Sequence, residues 1–112
     1  MISKELLSEV LGLELYWKEI KVVDATLHYP HKNGIYNEDK TINIYELAHK
    51  CKEWASKQKY HIQTNLYLDG LYRVTITFKG QYDKEIFYAD TEPEAIFKAC
   101  EWILEWKSTN DL

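Results

Sequence analysis

Residues Tyr60–Phe78 read YHIQTNLYLDGLYRVTITF, and the register of this stretch decides the fold. Two β-rich runs, near Tyr60–Tyr67 and Leu71–Phe78, flank Asp69-Gly70, and a third lies near Lys84–Ala89. A two-residue turn at Asp69-Gly70 pairs Leu66 with Arg73 and Ile62 with Thr77, which sends the apolar side chains of the two strands to opposite faces. A three-residue loop, Leu68-Asp69-Gly70, combines a type I turn with a left-handed Gly70 as a bulge. It pairs Ile62 with Ile76, Thr64 with Val74 and Leu66 with Tyr72. Both strands then share one apolar face. The other face carries His61, Gln63, Asn65, Tyr67, Arg73, Thr75 and Thr77, a polar surface that can be left in water.

Helices flank this meander. Upstream, Asn43 is an N-cap with Glu46 three residues later, and Ile42 is placed to staple against Leu47. The buried stripe of that helix is Ile44, Leu47, Ala48, Cys51, Trp54 and Ala55. Its other side, with His49, Lys50, Lys52, Glu53, Ser56 and Lys57, is net basic. Downstream, Thr91–Trp106 reads TEPEAIFKACEWILEW. Thr91 and Glu94 form a capping box, and Pro93 sits in the first turn, where its missing N–H costs little. Apolar residues surround this helix so widely that only a narrow polar stripe of Glu94, Lys98, Glu101 and Glu105 remains. One sheet face covers part of such an arc, and the rest needs another helix or a second copy of the chain.

In the first forty residues, Ser3 caps a short helix with Leu6, Leu7, Val10 and Leu11 on one face, closed by Gly12 and Leu13. Trp17–Tyr29 predicts a strand with Val23, Ala25, Leu27 and Tyr29 facing the core. Pro30–Lys40 reads as a polar loop. Its Asn33-Gly34 pair suits a tight turn, which leaves room for a short strand around Ile35 and Tyr36. The expected fold is α+β: an antiparallel three- or four-stranded meander sheet, two helices packed on one face, and a short N-terminal helix at an edge or on the far face. Residues 1–112 read as a single domain. Residues 1–40 supply the N-terminal helix, strand and loop, and 41–108 the helix-strand-strand-strand-helix core.

A chain of 112 residues with 46 % hydrophobic residues is long enough for an ordinary core. Its net charge of −4 speaks against a general nucleic-acid or anionic-membrane binder. Cys51 and Cys100 both lie on apolar helix faces, where free cysteines behave as small hydrophobes. The first residues, MISKELLSEV, mix acids with short apolar runs and so read neither as a signal peptide nor as a membrane span. A cytoplasmic location is the expectation.

No constellation names a reaction. His28 and His31 lack the companion Cys or carboxylate ligands of a zinc site, and His61 reads as an exposed strand histidine. There is no glycine-rich phosphate loop, nucleophile elbow or Cys/His pair. The expectation is a protein without catalytic residues, metal or cofactor.

The order helix, three antiparallel strands, helix from Asn43 to Lys107 resembles the layout of the double-stranded-RNA-binding domain. The resemblance is one of topology and covers a little over half of the chain. Where that family holds phosphate with a lysine cluster, this chain has Glu92 and Glu94, and the loop that reaches a minor groove shortens here to Leu68-Asp69-Gly70. Three segments, MISKELLSEVLG, INIYELAHKCKEWA and DTEPEAIFKACEWILE, are similar to small uncharacterised phage and prophage proteins, including those of the phage ABA (α-β-α) sandwich domain type. That similarity implies a small α+β accessory protein of a bacterial host's cytoplasm, with no assigned catalytic residues.

Function is therefore expected to lie in surface chemistry, through binding of a host or phage macromolecule, with a protein as the expected partner. Tyr67 and Arg73 on the polar sheet face form the candidate partner surface, because Tyr and Arg are enriched in binding hot spots. Trp102 and Trp106, one helical turn apart, are candidates for self-association into a homodimer. An alternative is a nucleic-acid-binding module in which Lys50, Lys52, Lys57 and Lys59 hold phosphates while Tyr60 or Tyr67 stacks on bases.

Overall fold

The computed structural model describes residues 2–13, 20–33, 36–78 and 84–110, and contains three helices and two antiparallel three-stranded sheets. In chain order the elements are α1 (Lys4–Leu11), β1 (Lys21–Val23), β2 (Thr26–Asn33), β3 (Tyr36–Asn43), α2 (Ile44–Lys57), β4 (Tyr60–Leu66), β5 (Tyr72–Phe78), β6 (Lys84–Ala89) and α3 (Glu92–Asn110). The first sheet runs β1-β2-β3 and the second β4-β5-β6.

The second sheet has the register that the apolar pattern demands: Ile62 opposite Ile76, Thr64 opposite Val74 and Leu66 opposite Tyr72. The loop is built as the three-residue solution requires. Gly70 N–H donates to Tyr67 O at 2.9 Å, Tyr67 N–H to Leu71 O at 3.0 Å, and Gly70 has φ +85°. Asp69 Oδ1 accepts from Leu71 N–H at 3.0 Å and fixes the turn locally. Helices α2 and α3 pack on the apolar face of this sheet and against each other.

Both helix starts follow the cap residues. Asn43 Oδ1 accepts from Tyr45 N–H at 2.8 Å and from Glu46 N–H at 3.4 Å, and Thr91 Oγ1 accepts from Glu94 N–H at 3.4 Å. In α2 the side chains of Leu47, Ala48, Cys51, Trp54 and Ala55 are buried and Ile44 is half-buried, as the spacing predicts. In α1, Ser3 caps Leu6 N–H at 3.1 Å, while left-handed Gly12 and Leu13 N–H close the helix on Ser8 O.

The expected α+β class and the three-stranded meander under two helices are present in the second sheet, but the expectation of a single sheet is corrected: the described residues form two sheets. The reason lies at Asp24-Ala25, where both residues have left-handed φ values, 51° and 59°. Val23 therefore pairs with Thr26 across a two-residue turn, and the run from Val23 to Tyr29 is two strands. Val23 and Ala25, expected to face the core with Leu27 and Tyr29, are exposed. The expected loop from Pro30 to Lys40 is likewise corrected, since β2 and β3 pair from Thr26↔Asn43 to Asn33↔Tyr36. Ladder alternation from the Ile44 N–H to Ala25 O bond puts Pro30 opposite Asp39 in a non-hydrogen-bonded pair, beyond the end of β1. Its missing N–H costs no rung there. The expected start of the strand at Trp17, and Gly34 and Ile35 of the expected turn, lie outside the described residues.

Helix α1 was expected at a sheet edge or on the far face. It packs instead against α2 and α3, with Leu6 and Leu7 fully buried. The broad apolar arc of α3 is thus covered from three directions within one chain: the second sheet, α2 and α1. Among the described residues no helix is long and apolar enough to cross a membrane.

Candidate interaction surfaces

On the solvent side of the second sheet, strand register brings Asn65, Arg73 and Tyr88 into one row across β4, β5 and β6. Tyr67 lies diagonally beside Arg73, because its own partner is Leu71. The Arg73 guanidinium carbon sits 3.7 Å from the Tyr67 ring centroid and 5.1 Å from that of Tyr88. Both distances are within cation–π range, so the flexible arginine is held between two rings. Its Nε is enclosed and has no hydrogen-bond partner among the described residues. The rings themselves remain open to solvent, Tyr67 at 40 % and Tyr88 at 44 %. Apolar side chains lie beside this centre: Ile86 is exposed on the same face, and Leu68 is exposed at the hairpin tip.

The two sequence-derived binding residues, Tyr67 and Arg73, are therefore in contact. Tyr88 was missed. Its place opposite Arg73 follows from the β5–β6 register, and that register depends on the connection between the two strands, which has no turn signal as clear as Asp69-Gly70.

Trp102 and Trp106 also come together, with ring centroids 5.5 Å apart and an interplanar angle of 12°. They are not equivalent. Trp102 is half-buried and meets Tyr60 edge-on at 6.5 Å, and Tyr60 in turn stacks on Phe78 at 4.6 Å. Burial of the Tyr60 hydroxyl end raises its pKa above the ordinary 10.0. Trp106 is 43 % exposed.

The four lysines of the nucleic-acid alternative do not form one stripe. Lys50 and Lys57 line a concavity of about 380 Å³ between α1 and α2 together with the acids Glu9 and Glu53. Lys52 is about 200° around the helix from Lys50. Lys59 lies beyond the helix end with φ 74°.

His28 and His31 both stand in β2, His31 in place of the expected loop, three residues apart and so on opposite faces of the strand. The two rings do not converge, and among the described residues no group of three or more His, Cys, Asp or Glu is arranged to hold a metal ion. Cys51 and Cys100 are both buried and free, with Cys100 Sγ 3.6 Å from Cys51 O. The Cys100 thiol is held far above the ordinary thiol range, first by a hydrogen bond with Cys51 and then by burial. A thiol in that state is a poor nucleophile.

Comparison with protein families, curated proteins and solved structures gives no match for this chain.

Proposed function

We propose that this chain is a small non-catalytic accessory protein of a phage or prophage, working in the host cytoplasm by binding a host or phage macromolecule. Its partner is a protein, docked on the polar face of the second sheet around Tyr67, Arg73 and Tyr88. The observation that carries this reading is the Arg73 guanidinium held between two solvent-open tyrosine rings. Ordering an arginine before the partner arrives lowers the entropic cost of binding, and arginine and tyrosine are the residue types that dominate hot spots. Exposed Ile86 and Leu68 beside the clamp suit a protein partner better than a phosphate backbone. The phage context rests on the similarity of the three quoted segments.

The test is capture from extract of a bacterial host with immobilised wild type and with Arg73→Ala, after checking that both melt at the same temperature. Species held by wild type and lost by the variant support the reading, and equal capture by both sinks it. Captured nucleic acid, released steeply by added salt, points to the lysine alternative. Self-association is a second property of the same proposal: the exposed Trp106, stacked on Trp102, forms the contact between two copies.

A further inference from the structure

We infer that the groove between α3 and the outer edge of β6 receives an extended, basic and apolar peptide segment of another protein as a fourth strand of the second sheet. The argument begins with the ladder. Tyr67 N–H donates to Leu71 O, so Asn65↔Arg73 is also a hydrogen-bonded pair, and the backbone groups of Arg73 point to β4. Arg73↔Tyr88 and Thr75↔Ile86 are then non-hydrogen-bonded pairs. The backbone N–H and C=O groups of Tyr88 and Ile86 accordingly point outward from the edge of the sheet. Among the described residues no strand pairs with that edge.

Lys98 of α3 marks the same edge independently. Its Nζ donates to Tyr88 O at 2.8 Å, which is the position where the N–H of an added strand would bond. Charged groups at an edge are a usual guard against unwanted pairing. On the helix, Glu94 and Glu101 are the i−4 and i+3 neighbours to which Lys98 can swing when a strand arrives.

Beside the edge lies a groove of about 350 Å³ whose floor is Phe87, Phe97 and Trp102. A strand added to β6 turns alternate side chains toward that floor, which gives apolar selectivity. Among the described residues, three carboxylates, Glu94, Glu101 and Glu105, and one cation, Lys98, line the groove, so this lining is net negative and selects basic residues. The same acids argue against a second copy as the occupant. A two-fold β6–β6 pairing would bring both acidic stripes together.

The edge uses the backbone groups of Ile86 and Tyr88 and the apolar face of the sheet, whereas the Arg73 clamp uses the Tyr88 ring on the polar face, so the inference does not rest on the proposed function. The probe is acetyl-Lys-Val-Lys-Val-Lys-Val-amide, with the Glu-Val counterpart as control, titrated into isotope-labelled protein and followed by NMR. Saturable shifts and slowed exchange at the Ile86 and Tyr88 amides are expected with the Lys-Val peptide only. Ile86→Pro removes an outward N–H while sparing the inner ladder and should abolish the effect. Should that variant not fold, Glu105→Lys is expected to weaken binding about fivefold, the size of an exposed charge pair. Arg73→Ala should bind the peptide as wild type does. Equal response to both peptides, shifts confined to the Tyr67–Arg73 face, or no binding overturns the inference, as does a wild-type dimer that Ile86→Pro converts to monomer.

Discussion

Glu101 Oε1 accepts two hydrogen bonds from Ser3, one from the backbone N–H at 3.0 Å and one from Oγ at 2.8 Å. The two residues are 98 positions apart, so a single carboxylate ties the start of α1 to the middle of α3. The Ser3 hydroxyl completes the arrangement by accepting from Leu6 N–H at 3.1 Å.

Removing that carboxylate should loosen α1 selectively. Glu101→Ala is expected to lower the unfolding free energy by about 2 kcal/mol, because part-buried donors lose a charged acceptor. Urea denaturation measures the loss. Hydrogen exchange should locate it in residues 2–13, and an equal rise in exchange across β4–β6 would contradict the assignment.

The two tryptophans should respond differently to the same change. Trp102→Ser is expected to cost about 3 kcal/mol, because the ring packs edge-on against Tyr60. Trp106→Ser should cost less than about 1 kcal/mol and lower the solution mass if the ring joins two copies. Light scattering coupled to size exclusion reads the mass, and a wild type already monomeric at high concentration refutes the self-association.

Two non-glycine residues in left-handed backbone give a prediction of opposite sign. Lys59 at φ 74° and Ala25 at φ 59° adopt a conformation costing L-residues about 1 kcal/mol or more. Lys59→Gly and Ala25→Gly should each therefore stabilise the protein by about 0.5–1 kcal/mol, despite glycine's larger unfolded-state entropy. Thermal melts showing both variants less stable would refute the strain at these turns.

Alkali should destabilise the fold from the thiol range upward. Cys100, Tyr29 and Tyr60 all have pKa values raised in the folded state, Tyr29 by burial and secondarily by the Glu46 charge. An acid whose folded pKa is raised keeps its proton when the unfolded chain has lost it. Its stabilising contribution is complete below the unfolded value, 9.0 for the thiol, and declines as pH climbs above it. The slope approaches about 1.4 kcal/mol per pH unit for the thiol, and the two tyrosines add to it in the same direction nearer pH 10. Urea midpoints between pH 7 and 10.5 should fall for wild type and fall less for Cys100→Ala, and identical profiles would refute the assignment to this thiol.

Much of the second sheet and its two helices was legible because local signals agreed. The apolar alternation of Ile62, Thr64 and Leu66 admits only one loop length at Asp69-Gly70, and Asn43, Thr91 and Gly12 announce helix ends by chemistry that acts within a few residues. Tyr67 and Arg73 fell on one polar face by the same counting. The first sheet was less legible. The turn at Asp24-Ala25 has no glycine to announce it, and Pro30 within a strand reads as a break unless it is known to lie beyond the end of β1.

The sequence by itself thus determined periodicity, caps and the register of one hairpin, since these depend on contacts between residues near in the chain. Tertiary structure alone decided that Tyr88 lies beside Arg73, that Glu101 holds Ser3, and that α1 packs against α2 and α3. It also decided which of the stacked tryptophans is covered. Each of those relationships joins segments whose separation in the chain carries no periodic or capping signal, and only packing of the assembled layers selects them.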